Sequence, residues 1–128
     1  MTETTPVWNV MLATCPSRTS LAKIANKWTA MIVIALSDGP LRFGTVRERV
    51  DGISGKVLAE TLRDLERDGL VTRTAYDEMP LRVEYELTEL GQTLREPLTA
   101  LGMWAEHHIE QVLEARDAYD QRSPVTSG

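Results

Sequence analysis

Three cations repeat along one side of a short leucine-bearing segment, in a pattern suited to binding phosphate. On a helical wheel Lys56, Ala59, Glu60, Arg63 and Arg67 share one side, while Leu58, Leu62 and Leu65 lie within about 60° of one another on the other. Lys and Arg neutralise phosphates, and Arg can also pair with a guanine edge in the major groove. Glu60 can accept a hydrogen bond from cytosine N4 and Ala59 can meet a thymine methyl. Arg42 is a further candidate phosphate contact, unless it pairs with Asp38 or Asp51. Arg82 is another, unless it is held by Glu78 or another acid across a strand pair. The competing reading of the whole set is an ordinary solvated helix face.

Cys15 is the second candidate, because it is the chain's single cysteine. Without an internal partner it can be alkylated, form a mixed disulfide with a small thiol, or pair with Cys15 of a second copy if the Cα atoms come within about 7 Å. Arg18 and Lys23 follow it, and a helix beginning at Thr19 or Ser20 would favour a thiolate through its dipole. The alternative is an inert packing thiol. Glu106, His107, His108 and Glu110 do not make a metal site: adjacent histidines diverge by about 100° on a helix, and no His recurs four residues on. There is no nucleophile with a paired base, no phosphate-cradling glycine loop and no catalytic carboxylate constellation, so no catalytic residue, metal or cofactor is expected.

The frame that must hold these residues is small. The chain has 128 residues, is 42% hydrophobic and 26% charged, and carries a net charge of -5. This suits one globular domain whose core needs no disulfide. The acid is unevenly placed: residues 1–40 sum to +1, 41–84 to -1 with eight of the fourteen cations, and 85–128 to -5. A cationic face can therefore exist in the middle of an acidic chain. The uncharged run Trp28–Ser37 is about half the ~20 residues of a membrane span. Val10–Cys15 only loosely resembles the cleavage site of a lipid-anchored export signal and lacks the basic opening of one, so a cytoplasmic protein with no membrane partner is expected.

Periodicity predicts helices over Ser20–Ala25 and Trp28–Leu36, the second stopped by Asp38-Gly39-Pro40. A third helix carries Phe43, Val46 and Val50 and ends at Asp51-Gly52. A fourth is capped by Ser54 and closed by Gly69. The period then becomes two over Leu70–Tyr76 and Arg82–Leu87, giving a β-hairpin around Asp77–Pro80. From Thr88 the helical period returns. Pro97 is expected to divide it into a short helix ending near Glu96 and a longer one to about Arg116, with a frayed tail after Tyr119. Trp28 and Trp104 are expected in the core or in a subunit seam.

This order is the winged helix-turn-helix plan: mainly α with a small β-hairpin, the Ser54 helix as reader, Phe43–Val50 as its brace and Arg82 on the wing. The stretches Cys15-Pro16, Asn26-Lys27-Trp28, Gly39–Gly44, Ile53–Leu58, Leu62–Val71 and Arg82–Gly91 together resemble the HxlR-type regulators, bacterial winged-helix factors related to the MarR type, over about residues 15–108. That resemblance implies a homodimer on near-palindromic double-stranded operator DNA, with several members sensing electrophiles or oxidants through an N-terminal Cys. The chain departs from the family where Gly55 stands for a frequent Pro, and where Ala59 and Glu60 stand for frequent Thr and Gln. These changes point to a different operator rather than to lost binding.

The expected organisation is an arm over residues 1–18, a DNA-binding domain over 19–91, dimerisation helices over 92–119 and a tail over 120–128. Expected DNA contacts are Arg42, Ser54, Gly55, Lys56, Ala59, Glu60, Arg63, Arg67 and Arg82. The expected seam comprises Val10, Leu12, Leu98, Leu101, Trp104, Ala105, Ile109 and Val112. A repressor responding to a small molecule or oxidant is the leading reading. A winged-helix module binding protein rather than DNA is the alternative, suited by the charge of -5.

Overall fold

The computed structural model describes residues 7–122. The chain divides into two compact units, residues 1–95 and 96–128. In the first, α1 (Pro16–Ile24) and α2 (Lys27–Ala35) are followed by a 3-10 turn, Leu36–Asp38. Then come β1 (Leu41–Arg42), α3 (Phe43–Arg49), α4 (Gly55–Arg67), β2 (Val71–Tyr76), β3 (Arg82–Leu87) and α5 (Glu89–Gln92). The last helix, α6 (Arg95–Asp120), runs from the end of the first unit through the second.

Local chemistry sets most boundaries. Asn26 caps α2 by accepting the Trp28 N–H, Ser54 caps α4 by accepting the Val57 N–H at 3.1 Å, and Thr88 caps α5 by accepting the Gly91 N–H. Helix α4 ends in a Schellman motif: the Gly69 N–H bonds the Glu66 carbonyl, and the Leu70 N–H reaches back to the Leu65 carbonyl at 2.9 Å. Gly69 holds φ at +77°, where a side chain would be strained. Leu58, Leu62 and Leu65 are buried from α4, joined by Ile32, Val33, Leu36, Val46, Val50 and Ile53. Each such aliphatic side chain contributes about 1.5–3 kcal/mol on removal from water, so the leucine stripe fixes which side of α4 is left outward.

Three expectations change. Helix α1 begins at Pro16, not at Thr19 or Ser20, because Pro is preorganised for a first helical position where no N–H partner is needed. The hairpin gains a third strand: β1 pairs antiparallel with β3 through Leu41↔Tyr85 and Arg42↔Glu84, giving the order β1-β3-β2. Pro97 does not break the last helix. It lies in the first turn of α6, where its missing donor costs nothing, and the break falls at Thr93–Leu94. Helix α6 continues past Arg116 to Asp120 and is about 39 Å long at 1.5 Å per residue.

Candidate nucleic-acid interface

Helices α3 and α4 with the turn between them form the helix-turn-helix, and the three-stranded sheet forms the wing. The outward side of α4 carries Lys56, Glu60, Arg63 and Arg67, all exposed, with Ala59 half-buried at its edge. Among the described residues none of these three cations forms an ion pair. Ser54 is exposed, but its hydroxyl oxygen is engaged by the helix N-terminus. Gly55 is half-buried because the Arg47 guanidinium of α3 lies over it, 3.4 Å from where a Cβ would stand. Arg47 is thus a cation at the mouth of the reading helix that sequence inspection did not single out. Only the packing of α3 on α4 brings residues eight apart together.

Arg42 is exposed at the N-cap of α3 and makes no ion pair among the described residues, either with Asp38 or with Asp51. Arg82 sits differently from the other candidate cations. Its guanidinium donates to Glu78 and to Glu84, each at 2.7 Å, and lies over the Tyr76 ring 3.8 Å from its centroid. The Tyr76↔Arg82 register pair closes the hairpin and places the ring beneath the guanidinium. Hydrogen bonds to the two carboxylates raise the Arg82 pKa further. The same bond holds the Glu78 carboxyl below its usual range, helped by the charges of Arg82 and Arg42. The positive charge of Arg82 is therefore compensated inside the hairpin, as the structural alternative for this residue required. From Val71 to Leu87 the chain has two basic and four acidic residues, so the wing as a whole is anionic.

Cys15 is the N-cap residue of α1 and is 8% exposed. Its sulfur lies 2.9 Å from the Ser17 hydroxyl oxygen and accepts the Asn9 N–H at 3.2 Å. The Ser17 hydroxyl chiefly, then the Asn9 amide, stabilise a thiolate more than desolvation opposes it. The backbone groups of Ser17 and Arg18 add to this, and the thiol pKa falls below 9.0. The polarising groups are these hydrogen-bond donors rather than the charges of Arg18 and Lys23. Lys23 instead pairs with Asp68 at 3.6 Å.

The seam candidates divide. Val10, Leu12, Leu101, Trp104 and Ile109 are exposed at 41%, 54%, 56%, 55% and 43%, and Ala105 is also exposed. Leu98 is already buried within the single chain and Val112 is half-buried. Trp104 stacks on His108 with ring centroids 4.8 Å apart, and the His108 Nδ1 lies 2.9 Å from the Trp104 carbonyl oxygen, so this histidine is engaged by its own helix. Trp28 is half-buried rather than a core residue. Among the described residues no helix is long and apolar enough to cross a membrane.

Residues 23–113 match the model of the HxlR-like helix-turn-helix family. The chain belongs to that family. Its members are DNA-binding transcriptional regulators, not enzymes, and DNA is the partner the family implies. The chain is 40% identical over 109 residues to the HTH-type transcriptional regulator YtfH of Escherichia coli K12, covering 85% of this chain and 86% of that one. A solved structure of the transcriptional regulator ytfH from Salmonella typhimurium matches with a TM-score of 0.81 and 39% identity over 87% of this chain and 99% of that one. The redox regulator HypR in its oxidised form matches with a TM-score of 0.67 and 36% identity over 73% and 96% of the two chains. The winged-helix architecture and the family resemblance are therefore as the sequence predicted.

Proposed function

We propose that the chain is a sequence-specific, homodimeric repressor that lays α4 of each subunit in successive major grooves of a near-palindromic operator. The observation that carries this is the outward side of α4, where Lys56, Arg63 and Arg67 are exposed without ion pairs among the described residues while the opposite leucine stripe is buried. In this reading Ser54 and Gly55 bring the N-terminus of α4 close to the duplex. Lys56 and Arg67 meet phosphate, and Ala59, Glu60 and Arg63 face base edges. Arg42, with Arg47 beside Gly55, adds phosphate contacts from α3. Arg82 shapes the wing rather than neutralising phosphate, since Glu78 and Glu84 already hold it.

The second subunit docks through the arm residues Val10 and Leu12 and the α6 residues Leu98, Leu101, Trp104, Ala105, Ile109 and Val112. The exposed apolar surface among them supports this. The arm gives way to α1 at Pro16 rather than at residue 18, the DNA-binding domain runs to 91 and the dimerisation helices to 119. The two α4 helices then sit about 34–36 Å apart, or a multiple of that. The protein works in the cytoplasm, where a lone thiol stays reduced until it meets an electrophile or oxidant. Cys15, with its lowered pKa, is the residue that responds. The likeness to a redox regulator supports that role.

The test is anisotropy of a labelled DNA fragment from upstream of the gene, titrated at several salt concentrations. A regulator gives a saturable complex that outcompetes unrelated DNA and weakens steeply with salt. A complex no tighter than that with unrelated DNA overturns the reading in favour of a protein-binding module. Release of the DNA by a quinone that persists in Cys15→Ser overturns the sensor role.

A further inference from the structure

Helix α4 has a third flank besides its leucine stripe and its cationic side. At 100° per residue Val57, Thr61, Asp64 and Asp68 cluster about 100° round from the leucines, on the side away from Arg63. This flank forms one wall of a cleft of about 390 Å³ whose other walls come from α1 and α2, including Lys23, Ile24 and Trp28. Such a volume suits a small organic molecule.

The lining selects its chemistry. Trp28 is half-buried there, with the Lys27 ammonium over its ring 4.5 Å from the centroid, and Ile24, Val57 and Leu65 supply further apolar surface. The Thr61 hydroxyl donates its proton to the Val57 carbonyl at 2.7 Å, so only its acceptor lone pairs remain for an occupant. Lys23 is matched by Asp68, whereas Asp64 forms no ion pair among the described residues. The cleft thus combines an aromatic wall, an acceptor hydroxyl and one carboxylate outside any ion pair among the described residues.

We infer that this α1–α2–α4 cleft is a binding site for a small organic ammonium ion with an aromatic body, the charge held by Asp64 and the ring packed against Trp28. An occupant would press on α4 from a flank that adjoins the side bearing its proposed DNA contacts. The site itself does not depend on the DNA reading, because its test contains no DNA.

The test is an NMR titration of ¹⁵N-labelled full-length protein with 2-phenylethylammonium and, separately, with the anion of matching shape, 3-phenylpropanoate. The ammonium should move the Trp28 indole N–H signal saturably, and the anion should not. Asp64→Asn should weaken the ammonium about three- to fivefold, the scale of one exposed ion pair. Lys23→Gln, which frees Asp68, should tighten it by a similar factor. The opposite signs separate a binding role from damage to the fold, which would weaken both variants. An unmoved Trp28 signal, equal binding of the anion, or weakening in both variants overturns the inference.

Discussion

The salt dependence of operator binding separates cations that meet phosphate from those the fold has already neutralised. The chain displays Arg42, Arg47, Lys56, Arg63 and Arg67 without an ion pair among the described residues, whereas Arg82 is held between Glu78 and Glu84. The log-log slope of affinity against salt is about -0.9 per phosphate neutralised, so a dimer using Arg42, Arg47, Lys56 and Arg67 twice should show about -7. If Arg63 met phosphate rather than a base, the slope would be about -9. Arg67→Gln removes two contacts per dimer and should lower its magnitude by about 1.8. The paired change Arg82→Gln with Glu78→Gln removes one charge of each sign and should leave the slope within about 0.3 of the parent, because the lost charge released no counterions. Fluorescence anisotropy on one operator fragment between low and moderate salt measures all three. A drop of about 1.8 in the paired variant would refute the reasoning, for it would mean that Arg82 leaves its glutamates to bind phosphate when DNA arrives.

Other outcomes follow from the same geometry. Gly91→Ala places a Cβ against the Leu70 carbonyl oxygen and 3.2 Å from a Leu87 methyl, so denaturant melts should show a loss of about 1–3 kcal/mol or more; an unchanged midpoint would mean that α5 shifts freely. Because the Cys15 thiol pKa is lowered, its alkylation by iodoacetamide should reach half-maximal rate at a lower pH than that of a cysteine in an unstructured peptide, and Ser17→Ala should move that point upward. The fold favours the thiolate, so the stability linked to Cys15 is complete above the ordinary thiol pKa and fades as pH falls through the lowered value; a midpoint no lower than the peptide's contradicts this. Trp104→Glu or Ile109→Glu should give a sedimentation coefficient of a folded monomer, and a persisting dimer would place the seam elsewhere.

The local signals in the chain were sufficient for most of the fold. Helix α4 was legible because amphipathic periodicity, a Ser cap and a terminal Gly act within a few residues of one another. The hairpin was legible because its alternation is equally local. The position of Pro97 was visible, but its effect depended on where α6 begins, and Thr88 and Leu94 decide that through hydrogen bonds within α5 and its end. The two-residue strand β1 had no readable period, since it exists only by pairing with β3 more than forty residues on.

At the candidate sites the division is similar. The sequence alone determined which side of α4 is cationic, because a helix fixes side-chain direction as soon as its leucines are buried. It also determined that a single thiol stands at the head of the chain. Tertiary structure decided which charges are free: Glu78 and Glu84 converge on Arg82, Arg47 leans over Gly55, and Lys23 finds Asp68. A charge's contribution depends on its neighbours within a few ångströms, and those neighbours come from elements whose spacing along the chain carries no period.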